Sequence, residues 1–212
     1  MTAKITAIVL ALAALSCRSA AVDSGPQLIQ PGAPGEPSRV IGAAEAVDLS
    51  QVGHTPADVR FMQGMIGHHA QALEMTDLLA TRTESGIMRK LALRIEVSQR
   101  DEIGMMQEWL RGRGQPVPDE HAHHAHGATL MPGMLTPDEM ARLAAARGVE
   151  FDRLFLEFMI KHHGGALIMV NDLFSAAGAG QESEIFAFAS DVEADQQMEI
   201  DRMAAMLKEL QK

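Results

Sequence analysis

The sequence predicts an all-α protein: a four-helix bundle built from two copies of one helical hairpin, with a short crossover helix between them. Two observations predict this fold. Apolar residues recur at helical spacing in four long stretches between residues 55 and 210, and Gly- and Pro-rich segments separate the stretches. An internal repeat relates the first two stretches to the last two. One hairpin cannot bury its apolar stripe alone, whereas two packed hairpins bury both.

The repeat can be followed residue by residue. In the first helix of each hairpin the matching residues stand 94 positions apart, as His68 and His162 do. In the second helix they stand 97 positions apart, as Glu102 and Glu199 do. The pairs in the first helices are Asp58/Asp152, Phe61/Phe155, Met65/Met159, Ile66/Ile160, His68/His162, His69/His163, Ala72/Ala166, Leu73/Leu167 and Met75/Met169. Those in the second helices are Gln99/Gln196, Glu102/Glu199, Ile103/Ile200, Met106/Met203 and Leu110/Leu207.

Residues 1–21 have the pattern of a signal peptide. Lys4 supplies a positive charge, an apolar run extends from Ile5 to Leu15, and small residues follow up to Ala21. The run is shorter than the roughly 20 residues that a membrane-spanning helix needs, and no later segment is long and uncharged enough to span. We therefore expect an exported protein without a membrane span.

Cys17 is the only cysteine of the chain, so no intramolecular disulfide forms. It directly follows the apolar run, in a sequence that resembles a bacterial lipoprotein cleavage box. This favours a lipid anchor at Cys17, with the protein held on the outer side of the cytoplasmic membrane. The alternative is ordinary cleavage after Ala21, which gives a periplasmic form.

Residues 22–54 are rich in Gly, Pro, Ser and Ala and predict a flexible tether. The domain, residues 55–212, begins at Thr55, which is suited to cap a helix whose first residue is Pro56. A capping box at Thr136 predicts the crossover helix, ending near Gly148. The four long helices are predicted to run from Thr55 to about Ala80, Ile87 to Leu110, Phe151 to Phe174, and Ile185 to Leu210.

The composition excludes some functions. The formal charge is −10, and it becomes −12 when residues 1–21, with Lys4 and Arg18, are removed. An acidic protein of this kind is not suited to nucleic acid. Met accounts for 15 of 212 residues and Tyr for none, so the core is aliphatic and rich in thioethers. No Ser-His-Asp set or phosphate loop is recognisable, and we expect no enzymatic activity.

The repeated motif Met-x-x-His-His is the strongest functional signal. Met65 precedes His68 and His69 by three and four positions, so the three side chains lie on neighbouring patches of one helix face. The second hairpin repeats this arrangement. Thioether and imidazole groups select Cu(I) and similar soft ions such as Ag(I). The predicted ligands in the helices are Met62, Met65, His68, His69, Met75, Met159, His162, His163 and Met169.

A structural role is the alternative, because methionines at helical spacing usually pack in a core. We assign that role to Met88, Met106, Met140, Met203 and Met206. A His-His pair that recurs at the same place after Met-x-x favours ligation. Leu156 stands where Met62 stands in the first copy, so the two motifs are not equal.

A second histidine cluster lies in the loop of residues 119–135, which has little apolar pattern. Histidine-rich loops commonly bind metals, and clustered imidazoles suit Cu(II), Ni(II) or Zn(II). The alternative is an incidental solvated linker. The predicted ligands here are His121, His123, His124 and His126.

The sequence resembles the family of domain of unknown function 305, whose fold is a ferritin-like helical bundle. The resemblance covers about residues 55–210. It implies a periplasmic or surface protein, with relatives linked to copper or silver binding and tolerance, and with Met and His as ligands. The residues that carry it are Asp58, Phe61-Met62, Met65-Ile66-Gly67-His68-His69, Met131-Pro132-Gly133-Met134, Thr136 to Met140, Phe151-Asp152 and Phe158 to His163.

Three functions follow as hypotheses. The leading one is a protein that buffers Cu(I) or Ag(I), gives tolerance to it or delivers it, in the last case to a metal-transfer partner. The second is a di-iron or other metal-dependent oxidoreductase, which Glu102 and Glu199 keep open although Met65 and Met159 stand where such a site has Glu. The third is a structural or partner-binding module without metal.

Overall fold

The computed structural model describes residues 28–30, 37–47, 52–121 and 130–210, and the chain divides into two units, residues 1–49 and 50–212. The first unit holds two short antiparallel strands, β1 (Leu28–Gln30) and β2 (Arg39–Ile41), with Leu28 opposite Ile41, followed by the one-turn helix α1 (Ala43–Ala46). The sequence suggested no element here, and the strands are largely exposed. The predicted signal peptide and Cys17 lie outside the described residues, and the flexible tether stays a prediction.

The second unit is the predicted all-α bundle. Its elements are α2 (Pro56–Asp77), α3 (Leu79–Arg82), α4 (Gly86–Gly112), α5 (Pro137–Ala145), α6 (Gly148–Ser175) and α7 (Ser183–Leu210). Helices α2 and α4 form one hairpin, α6 and α7 form the other, and α2 packs against α6 to join them. The short helix α5 is the crossover helix. No helix in the described part of the chain is long and apolar enough to cross a membrane.

Capping residues start two of the helices as predicted. The Thr55 hydroxyl accepts a hydrogen bond from the Asp58 N–H, and the Asp58 carboxylate accepts one from the Thr55 N–H. Thr136 and Glu139 form the same capping box on α5. Asp152 matches Asp58 in sequence but is the fifth residue of its helix, because α6 begins at Gly148. It therefore lies inside the bundle and caps nothing.

The core consists of two apolar clusters. One contains Met65 and the other contains Met159, and both side chains are fully buried. The predicted core methionines Met88, Met106 and Met203 are buried, and Met140 and Met206 pack against the second cluster. Ile87, where the second long helix was predicted to begin, is 63% exposed, because its neighbour Met88 occupies the inward position.

Candidate metal centre

The four histidines of the repeated motif form the centre of the bundle. They lie near the middle of α2 and α6 and are all fully buried. Buried glutamine and glutamate side chains of α4 and α7 share their level. We call this set the polar layer; its members are His68, His69, Gln99, Glu102, His162, His163, Gln196 and Glu199.

Within each hairpin, the second histidine of the pair binds a glutamate of the neighbouring helix. His69 Nε2 lies 2.5 Å from Glu102 Oε2, and His163 Nε2 lies 2.7 Å from Glu199 Oε2. The two contacts are equivalent in the repeat. Burial raises the pKa of Glu102, but the interaction with His69, above all its hydrogen bond, outweighs burial and lowers the pKa of this carboxyl. Glu102 is therefore an ionised acceptor at neutral pH.

The first histidine of each pair faces the other hairpin. His68 Nε2 donates to the Pro132 carbonyl at 3.0 Å, and His162 Nε2 donates to the His68 carbonyl at 3.0 Å. The His68 and His162 rings lie 3.9 Å apart between centroids. Sequence alone left open whether one histidine of each pair faces solvent. Neither does, since one binds within its hairpin and the other lies between the hairpins.

These hydrogen bonds fix the state of the rings. Carboxylate and carbonyl oxygens only accept, so each Nε2 carries a proton, and Nδ1 is the ring nitrogen that remains for a metal ion. The Nδ1 atoms of His69, His162 and His163 are buried without a hydrogen-bond partner. Burial, with the nearby histidines, holds the pKa of His162 well below its ordinary value, so that this ring is neutral at pH 7.

The predicted methionine ligands occupy different surroundings. Met62 and Met65 belong to the first apolar cluster, Met75 and Met159 to the second, and all four are buried. Met169 is half-buried against the first cluster. The predicted thioethers thus lie on both sides of the polar layer. Among the residues that the structure describes, no group of three or more His, Cys, Asp or Glu side chains is arranged to hold a metal ion.

The turn Met131–Met134, in the crossover segment, packs against the polar layer, where its Pro132 carbonyl binds His68. Gln71 holds it with two hydrogen bonds to the backbone of Leu135, at 2.7 and 3.0 Å. Gly165 allows the turn to approach α6, since a Cβ there would lie 1.9 Å from the Pro132 carbonyl oxygen. No sequence motif marked Gln71 or Gly165 as part of a site. The two residues stand at matching positions of the repeat, where the first copy has Gln and the second has Gly. This difference between the copies was the signal in the sequence that could have marked them.

The histidine-rich loop is described only at its ends. His121 is exposed, with Nδ1 3.2 Å from Glu74 Oε1. His123, His124 and His126 lie outside the described residues. Their metal binding stays a prediction.

The chain matches the family model of domain of unknown function 305 over residues 58–207. It is similar to a solved fragment of that family from Deinococcus radiodurans, with 33% identity, 74% of this chain and 98% of that one covered, and a TM-score of 0.63. The match to a family member from Streptomyces coelicolor has 30% identity, covers 73% and 93% of the two chains, and has a TM-score of 0.63.

CopM in its Cu(I)-bound form is also similar, with 27% identity, 72% of this chain and 96% of that one covered, and a TM-score of 0.56. Cu(II)-bound and Ag-bound forms of CopM match in the same way, at 28% and 27% identity. No curated protein matches the chain.

Proposed function

We propose that the chain, which belongs to the family of domain of unknown function 305, is an exported protein that binds Cu(I) or Ag(I) through methionine and histidine side chains. It buffers the ion or delivers it to a partner, without catalysing a reaction. The ion is cargo rather than a resident cofactor.

The observation that carries this proposal is the shared state of the motif histidines. Metal-bound histidines usually donate their second ring N–H to a carboxylate or a carbonyl, which fixes the tautomer and raises the basicity of the ligating nitrogen. His69 and His163 donate in this way to glutamates, and His162 donates to a carbonyl. The opposite Nδ1 atoms of these three residues are buried without hydrogen-bond partners, close to thioether-rich clusters, and are the nitrogens that can bind an ion.

The composition of the layer favours a soft ion. The first residue of each motif is Met, and thioether with imidazole selects Cu(I), whereas carboxylate-rich sites select harder ions. The similarity to CopM, which has Cu(I)-, Cu(II)- and Ag-bound forms, supports the same class of ion.

A di-iron site of a ferritin-like bundle has Glu-x-x-His on two helices and further glutamates. This chain offers one glutamate to each histidine pair, Glu102 and Glu199, and each already accepts a hydrogen bond from a histidine. That ligand set supports the binding function over the oxidoreductase.

An anaerobic Cu(I) competition titration of the mature protein tests the proposal, with parallel loading by Fe(II) and Zn(II). We expect stoichiometric Cu(I) binding that falls at least tenfold in affinity when His69 and His163 are changed to Gln. The variant His54→Gln, at an exposed histidine outside both clusters, is the control for losing a histidine elsewhere. Stoichiometric Fe(II) loading with oxygen consumption would support the oxidoreductase instead, and binding of no metal would support the structural module.

Export is tested separately. If Cys17 is lipidated, the Cys17→Ser protein moves from the membrane fraction to the soluble fraction. A native N-terminus at Val22 would show ordinary cleavage, and an N-terminus that retains residues 1–21 would contradict export.

A further inference from the structure

A groove of about 670 Å³ lies between α4 and α7, beside the polar layer. Met62 and Glu102 line it, and both are at least nine-tenths buried. Met105 also lines it and is 51% exposed. The groove therefore leads from solvent to the carboxylate that binds His69, passing two thioethers.

The groove is strongly acidic. Its only cationic lining residue is Arg113, which pairs with Glu182 and Glu184. Five further carboxylates line the groove: Asp101, Glu102, Glu108, Asp191 and Asp195. A concave surface lined by one sign of charge raises the local concentration of the opposite ion. The groove thus attracts cations and offers them soft ligands.

The second copy of the repeat shows that acidic surroundings of the glutamate are not a general feature of the fold. Glu199, which matches Glu102, has the Arg94 guanidinium 3.7 Å from its carboxylate. The residue of the repeat that matches Arg94 is Asp191, 97 positions later, and it lines the groove near Glu102. Glu199 thus has an arginine beside it, whereas the groove beside Glu102 has an aspartate at the matching position.

The thioethers differ between the copies in the same direction. Arg202 stands where Met105 stands, and Leu156 stands where Met62 stands. Each of these three differences places a soft ligand or a negative charge beside Glu102 and an arginine or an alkyl group at the matching position of the other copy. One histidine–glutamate pair thus borders a negatively charged groove, while a positive charge lies beside the other.

We propose that the α4–α7 groove is a binding site for a soft monovalent cation, with Met62 and Met105 as thioether ligands and Glu102 as the carboxylate that links the site to His69. Asp101, Asp191 and Asp195 supply the negative potential that draws the ion in. The site rests on the proposed function and deepens it, because it gives Cu(I) or Ag(I) a binding site on one side of the bundle in addition to the ligands of the repeated motif. Hairpin symmetry alone would give two equivalent sites.

The test is a titration of the mature protein, labelled with carbon-13 at the methionine methyl groups, with Ag(I) in chloride-free buffer. We expect the methyl signals of Met62 and Met105 to shift with the first equivalent. Met198 is 54% exposed and lies outside the groove, so its methyl signal serves as the internal control. The measurement uses the wild-type protein and does not depend on whether a variant folds.

Two substitutions then give the groove the arginines that stand at the matching positions of the repeat, Arg94 and Arg202. Asp191→Arg and Met105→Arg, both at exposed positions, should each weaken Ag(I) binding at the groove about tenfold or more by charge repulsion. Met198→Leu should leave it unchanged. If Ag(I) binds stoichiometrically while the Met62 and Met105 signals stay in place, the groove site is wrong and the proposed function stands. If the protein binds no Ag(I) and no Cu(I), both are wrong.

Discussion

The imidazole rings of His68 and His162 face each other at 3.9 Å between centroids, tilted by 37°, where α2 meets α6. The two residues are equivalent in the repeat, so the contact lies at the junction of the two hairpins. Both rings are fully buried. Two imidazolium ions in this contact would repel each other without solvent to screen them.

Acid should therefore destabilise the bundle through His162. Its pKa in the folded protein is well below 6.5, while the unfolded chain takes up the proton near that value. Stability is unaffected by this group above about pH 7 and falls as the pH drops below about 6.5, by up to about 1.4 kcal/mol per pH unit for one proton. Urea unfolding at pH 7.5 and 5.0 measures the change.

The variant His162→Gln should lose less stability over this interval than wild type, and His121→Gln should behave like wild type. An equal loss in all three proteins would contradict the role of His162.

Sequence alone predicted the four long helices, their pairing into two hairpins and a core rich in thioethers, because helical periodicity and capping residues are local signals. It did not predict the hydrogen bonds of the polar layer. Glu102 and Glu199 were recognised as matching residues, but their pairing with His69 and His163 depends on how α4 and α7 rotate against their partners. The groove was also out of reach. The position that matches Met105 in the repeat holds Arg202 and not a second methionine. The repeat therefore did not indicate a ligand at Met105.

The equivalent residues Asp58 and Asp152 should respond in opposite ways to substitution by Asn. Asp58 accepts hydrogen bonds from the backbone N–H groups of Thr55, at 2.6 Å, and Gly180, at 2.7 Å. Asn presents only one oxygen to these two donors, so Asp58→Asn should cost about 1–3 kcal/mol in the free energy of unfolding.

Burial raises the pKa of Asp152, although Thr83 and Arg89 act against this shift. Its ionised form therefore opposes folding at neutral pH, and Asp152→Asn should be neutral or stabilising at pH 7. Because the folded protein binds this proton more tightly than the unfolded chain, wild type recovers the difference as the pH falls through the folded pKa towards 3.8. Denaturation of the variants at pH 7 and 4 measures both effects. Equal destabilisation by the two substitutions would show that Asp152 is needed as an ion.

The approach of the Met131–Met134 turn to α6 predicts a sharp difference between two adjacent glycines. A Cβ at Gly165 would lie 1.9 Å from the Pro132 carbonyl oxygen, whereas one at Gly164 meets nothing within 4 Å. Gly165→Ala should displace the turn and weaken the hydrogen bond from His68 to Pro132, at a cost of about 1–3 kcal/mol or more. Gly164→Ala should be neutral or stabilise the helix by up to about 1 kcal/mol. Thermal unfolding of both variants distinguishes these outcomes, and equal melting temperatures would mean that the turn does not rest on α6.

The motif methionines should be separable from the histidine-rich loop by the ion that each prefers. Met65 and Met159 are fully buried, and Leu has a similar volume, so the double substitution Met65→Leu, Met159→Leu should cost less than about 1.5 kcal/mol at each position. It removes two thioethers, and the affinity for Cu(I) should fall while binding of Cu(II) and Zn(II) stays the same. Changing His121, His123, His124 and His126 to Ser should weaken binding of Cu(II) and Zn(II) and leave the affinity for Cu(I) the same.

Anaerobic Cu(I) competition and aerobic Zn(II) titration of the same two variants measure both affinities. If the double Leu variant binds Cu(I) as tightly as wild type and with the same stoichiometry, these methionines are core residues, and the ligands of the soft ion must lie elsewhere in the chain.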